Sequence, residues 1–201
     1  MIIDTKDKTK QHFDETASYY NNSSDGKFVE PMYEVIVGEI EKLESGRILD
    51  VGCGNGNLFT YLSERKYELT GIDFSANMIM EAEKNCRHAT FMVADAEKLP
   101  FEDGSFDIIV CNASFHHYIH PDTVLNEMHR VLKNGGKLLI GDPYVPTPIR
   151  PVMNVLTKFS KKGDYHFYGL GEMKRLFVEN SFVPVSSMKT QEHTAFHIAE
   201  K

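Results

Sequence analysis

The chain has no tryptophan, only three cysteines and no apolar run that approaches the roughly twenty residues needed to cross a membrane. We therefore expect no membrane span. Its 22 basic residues are outnumbered by 29 acidic ones, which gives a net charge of −7. This balance argues against nucleic acid as the main ligand, because neutralising a phosphate backbone requires a concentrated basic face.

The cysteines also lack the spacing of a disulfide framework or a metal site. Cys53, Cys86 and Cys111 are odd in number and contain no C-x-x-C pair. We expect them to be free, buried thiols. Because the N-terminus is polar and charged, we also expect no signal peptide and a cytoplasmic location.

The remaining composition is that of one globular domain. A length of 201 residues and a hydrophobic fraction of 41% are sufficient for a three-layer core. One basic cluster, formed by Lys158, Lys161 and Lys162, lies near the end of a possible helix, where cations complement the helix dipole. We interpret this cluster as structural rather than as a nucleic-acid contact. The oligomeric state stays open.

The most informative segment runs from residue 48 to residue 58 and has the sequence ILDVGCGNGNL. An apolar strand leads there into a turn with glycine at every second position, followed by the start of a helix. Glycine permits positive φ and a close approach of the backbone to a ligand, so Gly52, Gly54 and Gly56 predict a cofactor cradle. The dinucleotide fingerprint would need its third glycine at position 57, which is Asn57.

The spacing from Asp50 to Gly56, D-x-G-x-G-x-G, resembles the first motif of the class I S-adenosylmethionine-dependent methyltransferases. The stretch at residues 103–142 is similar to the methyltransferase type 11 group, which includes the ubiquinone and menaquinone methyltransferases. With the phrase HFDETASYY at residues 12–20, the resemblance covers residues 12 to 142. It implies that S-adenosylmethionine is the cofactor.

A second strand, at residues 68–73, ends in an acid about twenty residues after the first glycine. At that spacing Asp73 can accept the ribose hydroxyls of a bound nucleotide, a group that NAD and S-adenosylmethionine share. Ser75 is a suitable N-cap for the helix that follows. The resemblance implies that Asp73, Phe74 and Met78 belong to the wall around the cofactor's ribose and adenine.

Two further strand ends carry candidate cofactor contacts. A short strand at residues 91–94 leads to Asp95 and Ala96. The resemblance implies that Asp95 accepts a hydrogen bond from the adenine amine while the Ala96 backbone donates to the ring; a solvated turn acid is the alternative. A fourth strand ends at Asn112, which is followed by Ala113 at the same predicted edge.

Two adjacent histidines, His116 and His117, follow where the resemblance implies a pocket wall. An imidazole can act as a general base when the methyl acceptor carries a proton, and we favour His117 for that role. The alternative is that one ring packs structurally while the other lines the cofactor pocket. We expect no metal site, because neighbouring side chains on an extended segment point apart.

Aromatic residues of the N-terminal and late segments suggest an apolar or aromatic acceptor pocket. In relatives, an aromatic residue of the N-terminal phrase closes over the methionine end of the cofactor, and Tyr20 matches that position better than Tyr19. Simple core packing is the open alternative. Phe13, Phe28 and Phe167 lie in the same two segments.

Alternating strands and helices predict an α/β, three-layer, Rossmann-like doubly wound sheet, whose ligands bind at the carboxyl ends of the strands. The resemblance implies seven strands with the last antiparallel. We divide the chain into an N-terminal cap at residues 1–30 and a cofactor-binding domain at residues 31–201. The domain carries a lid insertion at about residues 143–168.

These features predict transfer of a methyl group from S-adenosylmethionine to oxygen, nitrogen or carbon of a small molecule. The alternatives are an NAD-dependent oxidoreductase and a non-catalytic S-adenosylmethionine-binding protein. We expect a small-molecule substrate as the partner and neither nucleic acid nor metal. His117 is the catalytic candidate, and the predicted cofactor contacts are Tyr20, Asp50, Gly52, Cys53, Gly54, Asn55, Gly56, Asp73, Phe74, Met78, Asp95, Ala96, Asn112, Ala113 and His117.

Overall fold

One sheet of seven strands forms the centre of the computed structural model, which describes residues 5–191 and 193–201. In chain order the strands are β1 (Gly46–Val51), β2 (Tyr67–Asp73), β3 (Thr90–Val93), β4 (Phe106–Asn112), β5 (Leu132–Pro143), β6 (Val183–Gln191) and β7 (Thr194–Glu200). Across the sheet they follow the order β3-β2-β1-β4-β5-β7-β6. Strands β1 to β5 pair in parallel, whereas β7 is antiparallel to β5 and β6. The predicted sheet with an antiparallel last strand is confirmed.

The helices connect these strands and begin where local signals predict. They are α1 (Thr5–Thr16), α2 (Ser24–Val29), α3 (Met32–Ile40), α4 (Ala76–Asn85), α5 (Pro121–Val131), α6 (Arg150–Leu156) and α7 (Leu170–Glu179). The Ser75 hydroxyl accepts the Met78 N–H at 3.1 Å, which is the predicted N-cap of α4. Pro121 opens α5, where its fixed φ suits the first turn.

Two apolar cores cover opposite faces of the sheet, because neighbouring residues of the central strands point to opposite sides. Leu49 and Ile109 belong to the core under α5 and α7, whereas Ile48 and Ile108 belong to the core under α3 and α4. All four side chains are almost fully buried. The predicted three-layer arrangement is therefore present.

The connection after the glycine turn differs from the predicted helix start. It forms only a short 3-10 turn at Asn57–Tyr61, and Leu62 then adopts an extended conformation. Leu58, Phe59 and Leu62 are the buried side chains of this stretch. The short turn and the extended residue after it thus bury three apolar side chains before the chain enters β2.

The segment predicted as a cap folds as α1 and α2 with a 3-10 turn between them at Ala17–Asn22. Helix α1 packs against α4 and against the 3-10 turn at Phe115–His117. The segment predicted as a lid contains α6 and ends before α7. The boundaries of both units remain predictions. None of the helices in the described part of the chain combines the length and apolar character that a membrane crossing requires.

The connection between β3 and β4 contains no helix, and a side chain of α5 holds it in place. Arg130 donates to the carbonyl oxygens of Phe101 and Leu99 at 2.7 and 3.0 Å. Glu127 orients the guanidinium and accepts the Leu99 N–H at 2.8 Å. These bonds satisfy backbone groups that a helix would otherwise satisfy internally.

Replacing Arg130 with methionine keeps much of the apolar stem but removes these hydrogen bonds. We expect Arg130→Met to lower the free energy of unfolding by about 1–3 kcal/mol, because two loop carbonyls and Glu127 lose their donor. Urea denaturation followed by circular dichroism measures this difference. Lys84→Met, which removes only an exposed pair with Glu81 on α4, is the control. Equal stability of the two variants would contradict the assignment.

Candidate functional site

Three adjoining cavities lie where β1, β2 and β4 end. This is the point at which the strand order reverses, since β2 and β4 flank β1 on opposite sides. We name the cavities after Asp73, Asp50 and His116. The first two share Gly52, the first and third share His117, and the second and third share Tyr20.

The Asp73 cavity is bordered by the ends of β2 and β3. Asp73 accepts hydrogen bonds from the Gly54 and Ser75 N–H groups at 2.9 and 2.8 Å, and burial raises its pKa to about 6. The remaining wall is mostly apolar. It is formed by Lys6, Thr9, Phe13, Gly52, Ile72, Phe74, Ala94, Asp95, Ala96, Glu97, Ser114, His117, Tyr118 and Ile119.

Helix α1 closes one side of the Asp73 cavity. Lys6 donates to Asp95 at 2.6 Å and to Glu97 at 3.1 Å. The carboxylate of Asp95, predicted to contact adenine, thus pairs with a lysine from the cap. Any ligand that donates a hydrogen bond to Asp95 has to share this carboxylate with Lys6.

The glycine turn connects the Asp73 and Asp50 cavities. Gly52, Gly54 and Gly56 all have positive φ, at 77°, 53° and 73°. A Cβ at Gly52 would collide with the Ser114 hydroxyl, whereas a Cβ at Gly54 would meet open space. The backbone of Gly54 is therefore bare toward the cavities, as a cradle requires.

Two residues that line the Asp50 cavity, Asp50 and Asn112, each have a buried side-chain oxygen without a hydrogen-bond donor among the described residues. The two atoms are Oδ1 of Asp50, the second-last residue of β1, and Oδ1 of Asn112, the last residue of β4. Burial, and next the charge of Asp73, raise the pKa of Asp50 to about 8. Tyr20, Val29, Tyr33, Gly52, Cys53, Gly54, Asn55 and Leu58 complete the wall. A ligand that brings donors or a positive charge would satisfy these two oxygens.

Asparagine side chains attach the cap to this cavity. Asn21 Oδ1 accepts hydrogen bonds from the amides of Asn55 and Asn57, both at 2.6 Å. Tyr20 comes directly before Asn21 in the sequence. Burial raises the pKa of the Tyr20 phenol well above the usual range, so this side chain stays neutral. The cap is therefore part of the cavity wall.

The His116 cavity contains a charged histidine between two acids. His116 Nδ1 donates to Asp142 Oδ1 at 2.8 Å, and its Nε2 lies 3.5 Å from Asp164 Oδ1. Burial opposes the charge, but the carboxylates of Asp142 and Asp164 outweigh it and raise the pKa of His116 to about 9. The ring is thus an imidazolium at neutral pH.

His117 has the opposite protonation state. Its Nδ1 donates to the Gly163 carbonyl at 3.1 Å, which leaves Nε2 as the acceptor. Burial, and next the adjacent charge of His116, lower the pKa of His117 to about 3. The neutral ring borders both the Asp73 and the His116 cavities. It packs edge-on against Phe13 at 5.5 Å.

Cap and lid meet beside the same cavity. Lys162 of the lid donates to Asp25 of α2 at 2.5 Å, and Asp25 also pairs with His12 at 2.8 Å. Phe167 stacks on the His116 ring with centroids 5.7 Å apart. The wall consists of Phe13, Tyr20, Ser24, Asp25, Phe28, Val29, Ala113, His116, His117, Pro143, Lys162, Asp164 and Phe167.

His116, His117 and Asp164 place one possible ligand atom each within 4.8 Å of one another. Both nitrogens of His116 already face carboxylates, and His117 Nδ1 is taken by a carbonyl. The geometry predicted for the two histidines was wrong, because they lie on the 3-10 turn at Phe115–His117 rather than on an extended segment, and their ring centroids are 4.0 Å apart. We therefore interpret the cluster as an ion-pair network rather than a metal centre.

Most of the predicted contacts come together at these cavities. Gly56 and Met78 do not reach them, since Gly56 lies against Phe91 and the Met78 side chain is fully buried. Ala113 lies in the wall with φ at 51°, a strained value for a residue with a Cβ. The other predicted residues, which line the cavities, are Tyr20, Asp50, Gly52, Cys53, Gly54, Asn55, Asp73, Phe74, Asp95, Ala96, Asn112 and His117.

Sequence reasoning missed Lys6, Asn21, Asp142 and Asp164. Asp142 ends an apolar strand, as Asp73 and Asn112 do, and that signal could have identified it. The other three belong to the cap and the lid, whose placement depends on tertiary packing. The free cysteines were expected correctly, since Cys53, Cys86 and Cys111 are all buried and unpaired.

Comparisons with known proteins agree with this geometry. Residues 49–140 match a family model described as a methyltransferase domain. The demethylmenaquinone methyltransferase of Thermotoga maritima is 30% identical over 184 residues, which cover 80% of this chain and 79% of that protein. The ubiquinone/menaquinone biosynthesis C-methyltransferase UbiE of Citrifermentans bemidjiense is 34% identical over 66% of this chain.

The alignment with UbiE spans 56% of that protein, so this chain matches little more than half the length of some curated relatives. The crystal structure of the YcgJ protein of Bacillus subtilis is similar with a TM-score of 0.69 and 28% identity. The superposition covers 78% of this chain and 70% of the other. Fold, strand-end site and relatives agree, and the chain belongs to the class I S-adenosylmethionine-dependent methyltransferases, within the methyltransferase type 11 group.

Proposed function

We propose that this chain transfers the methyl group of S-adenosylmethionine to oxygen, nitrogen or carbon of a small-molecule acceptor. The observation that carries the proposal is that Asp50 and Asn112 line one cavity and each have a buried oxygen with no hydrogen-bond donor among the described residues, while the charge of Asp73 acts on Asp50. An amino-acid ammonium group satisfies both acceptors. The pyrophosphate of NAD would instead bring negative charge next to two buried acids, which disfavours the oxidoreductase alternative.

Residues at different strand ends would bind different parts of the cofactor. In this proposal Asp73 accepts the ribose hydroxyls, Asp95 and the Ala96 backbone contact adenine, and Asp50 with Asn112 holds the ammonium group; all of these residues line the two cavities. When bound, the cofactor supplies a methyl group on a positively charged sulfur that needs no further activation. The protein therefore has to align the acceptor and exclude water.

The His116 cavity suits an apolar acceptor with an ionisable group. Phe13, Phe28 and Phe167 form its apolar wall, and Tyr20 separates it from the Asp50 cavity. Relatives named demethylmenaquinone methyltransferase make a reduced naphthoquinone the first acceptor to test. The assay follows the release of S-adenosylhomocysteine over a panel of hydroquinones, phenols and amines.

His117 is the proposed base. Its Nε2 is an unprotonated acceptor, and the ring borders both the cofactor and the acceptor cavities. With a pKa of about 3 it is a weak base. Such a base suffices when the leaving proton is strongly acidic, as on a ring carbon that has just gained a methyl group.

Substitution of His117 tests this role. We expect His117→Gln to lower kcat by about 100-fold or more, while the dissociation constant for S-adenosylmethionine changes less than about threefold. Steady-state kinetics and calorimetry give the two values. His88→Gln, at an exposed site, is the control. An unchanged kcat would assign His117 a packing role, and tight cofactor binding without transfer to any acceptor would favour the non-catalytic alternative.

Protonation of Asp50 gives a second test. With a pKa of about 8, Asp50 is mostly protonated at pH 7, and it must ionise to pair with an ammonium group. We expect binding of S-adenosylmethionine to release about one proton, which appears as a dependence of the calorimetric enthalpy on the ionisation enthalpy of the buffer. Asp50→Asn should abolish the release and Asp103→Asn, on the surface, should retain it. Proton release that persists in Asp50→Asn would contradict the assignment.

The charge of His116 predicts how stability depends on pH. The folded-state pKa of about 9 lies above the ordinary value of 6.5, so its stabilising effect is complete below pH 6.5 and is lost as the pH rises through 9. We expect the wild-type protein to lose about 3 kcal/mol of unfolding free energy over this window through His116. Denaturant titrations of His116→Gln should show a flatter pH profile. Parallel profiles would disprove a charged His116.

A further inference from the structure

The lid carries an exposed apolar stripe that the proposed methyl transfer does not use. Ile149, Val152, Val155, Leu156 and Phe159 are 54%, 60%, 60%, 51% and 79% exposed. Ile149 is the N-cap residue of α6, and the others lie on α6 or on the 3-10 turn that continues it, at spacings of three or four residues or close multiples. Such spacing places them along one side of a helical segment. Single exposed apolar residues are ordinary, but a contiguous row marks an interaction surface.

The same segment is basic within an acidic protein. Residues 143–163 contain Arg150, Lys158, Lys161 and Lys162 and no Asp or Glu, whereas the whole chain has a net charge of −7. Lys158 and Lys161 are exposed and form no ion pair with a described residue. Lys162 is paired with Asp25. The stripe is therefore accompanied by unneutralised positive charge.

From these observations we propose that the α6 stripe docks on the surface of an anionic lipid bilayer. Apolar side chains on one side of a short helix enter the boundary between headgroups and acyl chains, and neighbouring lysines bind anionic headgroups. Neither signal alone gives firm attachment, and this segment has both. The segment lies on the surface and does not cross the bilayer.

Charge complementarity selects the bilayer over a second copy of the chain. A symmetric contact between two copies would bring the same basic segments together, because each patch faces itself. Lys158 and Lys161 of both copies would then repel each other. An anionic surface removes that repulsion and covers the apolar side chains.

Docking here would bring the acceptor cavity close to the bilayer. The segment that carries the stripe also supplies Pro143, Lys162, Asp164 and Phe167 to the wall of the His116 cavity. An apolar acceptor could then pass between lipid and cavity along the lid. Docking on a bilayer is a property beyond methyl transfer, and each can be tested without the other.

Flotation of the full chain with lipid vesicles tests the inference. Vesicles of phosphatidylcholine alone are compared with vesicles containing about 30% phosphatidylglycerol, at about 150 mM salt. We expect binding to the anionic vesicles, at least about tenfold weaker binding to the neutral ones and a further loss at about 1 M salt.

Two pairs of variants separate the apolar and the electrostatic contributions. Val155→Gln with Phe159→Gln removes apolar contact, and Val178→Gln at an equally exposed site on α7 is its control. Lys158→Glu with Lys161→Glu reverses the charge, and Arg65→Glu with Lys66→Glu is its control, because these two exposed residues precede β2 at the amino end of that strand, whereas the lid follows the carboxyl end of β5. We expect each patch variant to lower vesicle binding at least about tenfold and each control to change it less than about twofold.

Calorimetry with S-adenosylmethionine shows whether each variant is folded. It also measures cofactor binding independently of vesicle binding, so a loss of docking can be told apart from a failure of the proposed function. Absence of vesicle binding by a protein that binds the cofactor would overturn the inference. Equal binding by patch and control variants would overturn it too. A dimer in sedimentation that Phe159→Gln dissociates, without vesicle binding, would identify a second copy as the occupant instead.

Discussion

Asp50 on β1 and Asn112 on β4 each have a buried oxygen that finds no hydrogen-bond donor in the part of the chain that the structure describes. Each costs folding free energy, because water is removed and no protein donor replaces it. Burial, and next the charge of Asp73, raise the pKa of Asp50 to about 8, so its ionised form is costly in the free protein. A ligand with a positive charge removes the cost on binding, so part of the stability lost in folding becomes affinity for the cofactor.

The rest of the structure positions this pair. Parallel pairing of β1 with β2 and β4 places three strand ends side by side, and the order reverses at β1, which opens a crevice there. The glycine turn leaves the backbone of Gly54 bare toward it. On the acceptor side, the imidazolium of His116 holds β5 and the lid together through Asp142 and Asp164. His117 borders both the Asp73 and the His116 cavities, so its side chain lies between the cofactor side and the acceptor side of the site.

Local signals in the sequence predicted the strand ends well. A strand that stops at Asp73, a hydroxyl cap at Ser75 and glycines that need positive φ each depend on few neighbouring residues. The pair between Lys6 and Asp95 joins residues 89 positions apart, and Asp164 reaches His116 from the lid. Such contacts follow from how the cap and lid pack, which no local pattern encodes. The protonation states of His116 and His117 depend on the same packing.

A calorimetric comparison of four ligands tests most directly whether Asp50 and Asn112 hold an ammonium group. S-adenosylmethionine and S-adenosylhomocysteine carry the α-ammonium group, whereas 5′-methylthioadenosine lacks it. NAD also lacks it and carries a negatively charged pyrophosphate. If Asp50 and Asn112 hold an ammonium group, the first two bind with micromolar affinity, methylthioadenosine binds at least about 100-fold more weakly and NAD does not bind measurably. Equal affinity for methylthioadenosine, or tighter binding of NAD, would show that Asp50 and Asn112 do not hold an ammonium group.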